Sequence, residues 1–142
     1  MPSRAVEVFI DGASLGNPGP SGVGVAFVRP DGTPIRQFAK GIGQATNNVA
    51  EYLAFLYALQ EALQAGCTDL VVRTDSELLA RQLSGRYKVR DATLRILHDL
   101  ATHLQLAFAS VHVEHVPRER NRLADRLAGD AALRQQTFAS SA

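Results

Sequence analysis

The hydrophobic pattern of the chain changes period at Thr46, and the order of the two patterns limits the possible folds. Before this residue, three segments alternate in the manner of strands, and we predict them at Ala5–Ile10, Gly22–Val28 and Ile35–Ile42. After it, helical and strand-like segments alternate. Three strands followed by strands interleaved with helices predict an α/β fold with a mixed sheet and helices packed against it.

The predicted elements after the change of period each end at a recognisable signal. Gly66 closes the first helix, Asp75 follows the next strand, and Gly85 breaks the helix after that. In chain order the elements are a helix of about 16 residues that follows the change of period at Thr46–Asn48 and is closed by Gly66, a strand around Leu70–Val72, a helix over Ser76–Leu83, a helix through Leu94–Leu104, a strand at Val111–His115 and a helix over Asn121–Leu133. We expect a frayed polar tail from Gln135 to Ala142.

The length and composition fit one globular domain. The chain has 142 residues, 46% of them apolar and 20% charged, which is an ordinary balance for a soluble protein with its own core. We expect order from about residue 5 to 134 within a single domain spanning residues 1–142. No stretch approaches the roughly 18 apolar residues of a membrane span, and no signal segment precedes the first strand. These features predict a cytoplasmic protein without a membrane partner.

Four carboxylates stand where predicted elements begin, end or turn. Asp11 follows the first strand, Glu51 lies in the first turn of a helix, Asp75 joins a strand to a helix, and Asp125 lies in the last helix. Side chains so far apart in sequence can meet only in the folded protein. Clustered carboxylates repel one another unless cations lie among them. Their convergence would therefore create a site for divalent metal and a phosphate-bearing substrate.

Each of the first three acids also has a structural explanation. Asp11 could form a turn pair with the glycine that follows it, Asn48 and Glu51 match a capping box, and Asp75 could cap the next helix. Asp125 differs because small and apolar residues surround it within its helix, so its charge requires a partner.

Four segments containing these acids occur in an order that resembles the type 1 ribonuclease H family. They begin at Asp11 (DGASLGNPGP), Thr46 (TNNVAE), Thr74 (TDS) and Asn121 (NRLAD), and the resemblance spans Val6 to about Leu133. It implies an RNase H-like fold with a mixed five-stranded sheet flanked by helices. It also implies an endonuclease that cuts the RNA strand of RNA–DNA hybrids, leaving 5′-phosphate and 3′-hydroxyl ends.

The resemblance assigns the catalytic acids and the metal ligands to the same four residues. The family's acidic quartet falls on Asp11, Glu51, Asp75 and Asp125. Two Mg²⁺ ions about 3.5–4 Å apart would be held there, with Asp11 as the bridging ligand. Mn²⁺ should substitute, since both ions accept hard oxygen ligands. No organic cofactor is implied.

Three asparagines and a threonine match family positions that contact the hybrid. Asn17, Asn47 and Asn48 can read the 2′-hydroxyl of RNA, because an amide both donates and accepts hydrogen bonds. Thr46 resembles a residue that helps to hold a DNA phosphate. Helix capping and turn formation are the alternative explanation for these residues, and both roles can coexist.

The residue on the catalytic loop before the last acid is open among three candidates. Many family members carry a histidine there, and His115 has a suitable spacing from Asp125, but its alternating context favours the last strand. Arg118 or Glu119 would then occupy the loop position. We prefer Arg118, because a guanidinium can approach the scissile phosphate.

The chain differs from some bacterial relatives in its basic surface. Where they insert a long basic protrusion, it has only the short segment Gly85–Arg90, and we expect no separate hybrid-binding domain. Weaker hybrid affinity and stronger salt sensitivity follow. We expect a monomer. The alternatives are a non-catalytic hybrid-binding module and another metal-dependent nuclease on the same fold.

Overall fold

Five strands and four α-helices make up the protein in this computed structural model, which describes residues 5–141, with side chains from 6 to 137. The elements are β1 (Ala5–Ser14), β2 (Gly19–Val28), β3 (Pro34–Ala45), α1 (Asn47–Gln64), β4 (Asp69–Thr74), α2 (Glu77–Leu83), α3 (Ala92–Gln105), β5 (Ser110–His115), a 3-10 turn (Arg118–Arg120) and α4 (Arg122–Ser141). Strand order in the sheet is β3-β2-β1-β4-β5. β1, β2 and β3 pair antiparallel, whereas β4 pairs parallel with both β1 and β5. The predicted mixed five-stranded sheet is confirmed.

The core lies between the sheet and α1, which is packed against β1, β2 and α3. Tyr52, Phe55 and Leu59 of α1 are fully buried against strand residues that include Val8 and Ile10. The burial of such apolar side chains is the main stabilising contribution in a domain of this length. The same packing fixes the start of α1, with Glu51, beside β1.

Helix α4 crosses β1, β2 and β3 at very short range. A Cβ at Gly24 would lie 2.4 Å from the Ala124 carbonyl oxygen, and one at Gly22 would lie 2.6 Å from the Ala132 nitrogen. The buried face of α4 is made of alanines at this contact, including Ala128. Small residues on both sides let the backbones approach, and this places the first turn of α4 over β1 and β2.

The predicted turn at Asp11 and Gly12 is wrong. β1 continues through both residues to Ser14, with Gly12 paired to Val23. A Cβ on Gly12 would lie 2.3 Å from the Ala50 carbonyl carbon, so this glycine is required by the contact with α1 rather than by a turn. The turn comes later, where Gly16 has a φ of +110°.

Several predicted ends also shift. β2 begins earlier, at Gly19, and β3 runs on to Ala45, because both strands follow the longer β1. α4 extends past the predicted end at Leu133, and the tail expected from Gln135 is helical as far as Ser141. No glycine or proline follows Gly129 to interrupt it. Ala142 lies outside the described residues. Over the described part of the chain, no helix has the length and apolarity to cross a membrane.

Candidate active site

The register of β1 against β4 brings Asp11 and Asp75 together. Ile10 pairs with Thr74 in this parallel ladder, so the next residues, Asp11 and Asp75, leave the pair side by side. The buried Thr74 side chain accepts a hydrogen bond from the Ser76 nitrogen at 3.0 Å, which turns the chain immediately after β4. Asp11 itself is only 5% exposed, although its side chain is ionisable. A buried carboxyl beside a second carboxyl requires compensation.

Glu51 reaches the same place from α1. It lies one turn into that helix and is 9% exposed, and its Oε1 accepts a hydrogen bond from the Gly12 backbone nitrogen. Thr46 caps α1 instead, because its side chain accepts from the Val49 nitrogen at 3.2 Å. The capping-box explanation of Glu51 is therefore wrong.

Asp75 does not cap α2. Ser76 does so, with its hydroxyl accepting from the Leu79 nitrogen at 3.1 Å. The carboxylate of Asp75 is left to face the other acids. Suitable oxygen atoms of Asp11, Glu51 and Asp75 all lie within 4.8 Å of one another. Hard oxygen donors at this separation fit a divalent cation such as Mg²⁺, Mn²⁺ or Ca²⁺.

Asp125 completes the group from the first turn of α4. Its carboxyl interacts with that of Asp11, and its Oδ1 lies 3.5 Å from Nη2 of Arg118. All four predicted acids therefore line one cavity of about 440 Å³. The residues lining the cavity are Asp11, Gly12, Ala13, Ser14, Asn47, Asn48, Glu51, Asp75, Ser76, Arg118 and Asp125.

The carboxylates of the cluster repel one another, so they are stabilised either by protonation or by a bound cation. Burial, followed by repulsion from Glu51 and Asp75, raises the pKa of the Asp11 carboxyl far above its usual range. Burial also raises the pKa of Glu51, against the opposing effect of the Gly12 N–H. Charge on these groups is unfavourable in the metal-free protein, and a divalent cation would supply the missing compensation.

The predicted substrate-binding residues gather at one rim of the cavity. Asn47 and Asn48 line it and are exposed, so their amides are available to a ligand. Asn17 lies beside them, since its Oδ1 accepts from the Asn47 nitrogen at 3.0 Å. Asn17 and Thr46 are not among the lining residues; the first links the loop after β1 to α1, and the second caps that helix. Capping and ligand binding remain compatible at this rim.

The candidates for the catalytic loop separate in space. Arg118 lines the cavity and pairs with Asp125, whereas Glu119 is exposed in the same 3-10 turn without lining it. His115 is the exposed last residue of β5, as its alternating context indicated, and it does not line the cavity. The geometry favours Arg118 over His115 as the residue that meets a ligand.

Gly12, Ser76 and Asn121 shape the site, although none of them had a predicted role there. Gly12 holds Glu51, Ser76 caps α2 and lines the cavity, and Asn121 is buried beside β1 with its Nδ2 donating to the Ile10 carbonyl at 2.9 Å. The only sequence signal for Asn121 was its position at the head of the segment that contains Asp125. For Gly12, the turn-forming tendency of an Asp-Gly pair concealed the contact.

Known proteins of similar sequence match most of this chain. A family profile described as reverse transcriptase-like matches residues 9–131. Over 127 residues the chain is 43% identical to a bifunctional protein of Mycobacterium tuberculosis, covering 89% of this chain and 35% of that protein. Over 126 residues it is 42% identical to the ribonuclease HI of Halobacterium salinarum, covering 89% of this chain and 63% of the relative. The chain thus spans less than two thirds of the length of either curated relative.

Solved structures agree with the sequence matches. The N-terminal RNase H domain of the M. tuberculosis protein, solved as a fusion with maltose-binding protein, has a TM-score of 0.91 at 41% identity, covering 96% of this chain and 99% of that chain. A ribonuclease H1 isolated from compost, solved in complex with an RNA/DNA hybrid, has a TM-score of 0.86 at 35% identity. That match covers 91% of this chain and 97% of the other.

Proposed function

Because the chain belongs to the type 1 ribonuclease H family, we propose that it hydrolyses the RNA strand of RNA–DNA hybrids with divalent metal ions. The observation that carries this proposal is the convergence of Asp11, Glu51, Asp75 and Asp125 on one cavity with an amide rim. A non-catalytic hybrid-binding module would have no need of four carboxylates whose mutual repulsion destabilises the metal-free protein.

The four carboxylates would hold the metal, and we propose two Mg²⁺ ions, replaceable by Mn²⁺, because every available ligand is a hard oxygen. When bound, such ions activate a water for in-line attack and neutralise charge on the leaving oxygen. We propose 5′-phosphate and 3′-hydroxyl products, as the family implies. The contribution of the protein is rigidity, since Asp11 sits within a strand and the Gly12 N–H fixes Glu51.

The other lining residues would bind and orient the hybrid. Asn47 and Asn48 present amides that can both donate to and accept from a 2′-hydroxyl, which DNA lacks. Asn17 would support them through the Asn47 nitrogen, and Thr46 would contact the DNA phosphate near its cap position. The complex of the compost ribonuclease H1 with an RNA/DNA hybrid supports this substrate class.

Arg118 would act at the scissile phosphate. Its side chain is 77% exposed beside the cavity, and its guanidinium is 3.5 Å from Asp125, a separation that leaves its donors available to a phosphate. We expect a monomer that works in the cytoplasm without an organic cofactor, and these three statements remain predictions.

The test compares the wild type with Asp11→Asn on an end-labelled RNA–DNA duplex, with RNA–RNA and DNA–DNA duplexes as controls. Each reaction is run with Mg²⁺, with Mn²⁺ and with chelator. We expect metal-dependent cutting of RNA only in the hybrid, and loss of cutting in Asp11→Asn with hybrid binding retained, because the variant removes a metal ligand and a negative charge.

Other outcomes favour the alternatives. Hybrid binding without cleavage in either metal would indicate the non-catalytic module. Cleavage of a control duplex would indicate another metal-dependent nuclease on this fold. Turnover retained by a folded Asp11→Asn protein would contradict the assignment of the metal ligands.

A further inference from the structure

Asn121 is a fully buried polar residue that joins three parts of the site. It is 1% exposed, and its Nδ2 donates to the carbonyl oxygen of Ile10 at 2.9 Å across 111 positions of sequence. That carbonyl belongs to the peptide unit leading directly into Asp11. The bond therefore holds Asn121 against the backbone that carries the buried carboxylate of Asp11.

The backbone of Asn121 connects the other two parts. Its carbonyl accepts from the Asp125 nitrogen at 3.0 Å, which closes the first turn of α4, and its nitrogen donates to the Arg118 carbonyl at 2.9 Å. One residue thus connects the strand of Asp11, the turn of Arg118 and the helix of Asp125. A shift of Asn121 would displace Asp125 and Arg118 relative to Asp11.

Packing alone does not favour an amide at this position. The Ile10 carbonyl can only accept, so Nδ2 must face it, and Oδ1 of Asn121 is then a buried acceptor without a hydrogen-bond partner among the described residues. An apolar side chain of similar size would fill this volume without leaving such an acceptor. The role of the amide is therefore its one hydrogen bond, which Nδ2 donates to the Ile10 carbonyl before Asp11.

We propose that Asn121 is a positioning residue that fixes Asp125 relative to Asp11 and so sets the affinity of the carboxylate cluster for divalent cations. The residue touches neither metal nor nucleic acid in this role, which rests on the proposed function only in that the cluster holds metal. Residues that orient metal ligands commonly change metal affinity by 10- to 100-fold when replaced.

The experiment measures Mn²⁺ binding by calorimetry in the absence of nucleic acid, for the wild type, Asn121→Ala and Asn121→Ser. Leu70→Ala is the matched control, because Leu70 is 1% exposed but pairs with Val6 at the far end of β4 from Asp75. Unfolding by urea is recorded for every protein, so that the loss of stability in each variant is known.

We expect both Asn121 variants to bind Mn²⁺ about tenfold more weakly or worse, while Leu70→Ala stays within about twofold of the wild type at comparable destabilisation. In saturating metal, the KM for hybrid should change less than the Mn²⁺ affinity, since Asn47 and Asn48 of the amide rim are untouched. Unchanged Mn²⁺ affinity in a destabilised Asn121 variant would overturn the proposal. So would failure of both variants to fold, since Asn121 would then be a residue of the fold alone.

The readout keeps this inference separate from the proposed activity. If the wild type binds Mn²⁺ but does not cut hybrids, the activity fails while the calorimetry still decides the role of Asn121. If the wild type cuts hybrids and the Asn121 variants bind Mn²⁺ normally, the activity stands and the positioning role fails.

Discussion

The backbone nitrogen of Gly12 donates to Oε1 of Glu51, so the residue after one carboxylate holds another that lies 39 positions further along the chain. The bond is possible because β1 and α1 touch at this point, where a Cβ on Gly12 would lie 2.3 Å from the Ala50 carbonyl carbon and 2.5 Å from the Glu51 nitrogen. Backbone contact at this range excludes any side chain. The geometry of the acidic cluster thus depends on a glycine that bears no functional group.

Gly12→Ala should therefore disable the site and destabilise the fold. The added methyl group must push α1 away from β1, which breaks the hydrogen bond to Glu51, and we expect a loss of about 1–3 kcal/mol in the free energy of unfolding. Cleavage should fall at least tenfold in the protein that remains folded. Urea unfolding and single-turnover cleavage of an RNA–DNA hybrid measure the two effects.

Gly129→Ala is the control for this substitution. Nothing lies within 4 Å of a Cβ at Gly129, which is inside α4, so alanine should leave activity unchanged and raise stability by up to about 1 kcal/mol. Equal activity of Gly12→Ala and wild type would show that the contact between β1 and α1 can relax without moving Glu51.

The acids of the site could be predicted from the sequence, whereas the role of Gly12 could not. The strand and helix periods predicted the order of elements and the mixed sheet, and the acids stood out because charge at element boundaries is visible in a single sequence. A glycine required by a distant backbone looks the same as a glycine required by a turn, because the deciding neighbour, Ala50, is far away in sequence. Asn121 was obscured for the same reason, since its partner Ile10 lies at the other end of the chain.

The ends of several strands and helices were predicted wrongly for a related reason. The predicted start of β2 at Gly22 came too late, because Gly19 and Pro20 resemble loop residues in the sequence but pair with Ala45 and Gln44 of β3. The capping explanations for Glu51 and Asp75 failed because Thr46 and Ser76 take those positions. Local patterns allow several capping residues, and only the tertiary contacts select among them.

The metal-free protein should lose stability as the pH rises from acid to neutral. Folding raises the pKa of Asp11 strongly and that of Glu51 to about 7, so the folded state keeps protons that the unfolded chain releases near pH 4. This contribution to stability is complete below about pH 4 and is lost as the pH rises through the folded pKa values. We expect the Tm in chelator to fall between about pH 5 and pH 8.

Added Mg²⁺ should reverse this trend. Binding requires deprotonated ligands, so the rise in Tm on adding Mg²⁺ should be larger at about pH 8 than at about pH 5. Thermal unfolding with chelator and with Mg²⁺ measures both effects, and Asp11→Asn, which cannot ionise at that position, should flatten the slope in chelator. A Tm that rises with pH equally in wild type and variant would contradict the role assigned to Asp11.

Replacement of Arg118 should affect cleavage far more than replacement of His115. Arg118 lines the cavity and pairs with Asp125, whereas the exposed His115 does not line it. A hydrogen bond to a charged group contributes about 1.5–3 kcal/mol, so kcat/KM of Arg118→Ala should fall about 10- to 100-fold. His115→Ala should stay within about twofold of wild type. Steady-state kinetics on a hybrid measure both, and the reverse ranking would assign the catalytic loop to His115.

Hybrid cleavage should be sensitive to salt through the short basic segment at Gly85–Arg90. Arg86, Lys88 and Arg90 are exposed there, and the Lys88 carbonyl accepts from Nε2 of the buried Gln82 at 3.3 Å, which fixes the segment to the end of α2. The slope of log kcat/KM against log salt concentration is negative, and each phosphate contact contributes about 0.7–0.9 to its magnitude. Lys88→Ala should therefore lower kcat/KM at low salt and reduce that magnitude by nearly one.

Arg29→Ala is the matched control for Lys88→Ala. Arg29 is also exposed, but it follows Val28, which pairs with Glu7 near the start of β1, away from the end that carries Asp11. Its replacement should leave the salt slope unchanged, because a hybrid seated on the acidic cavity would not extend to that corner of the sheet. Equal slopes for wild type, Lys88→Ala and Arg29→Ala would show that the segment Gly85–Arg90 does not contact the nucleic acid. A cleavage rate that barely changes between low and physiological salt would contradict hybrid binding through phosphate contacts altogether.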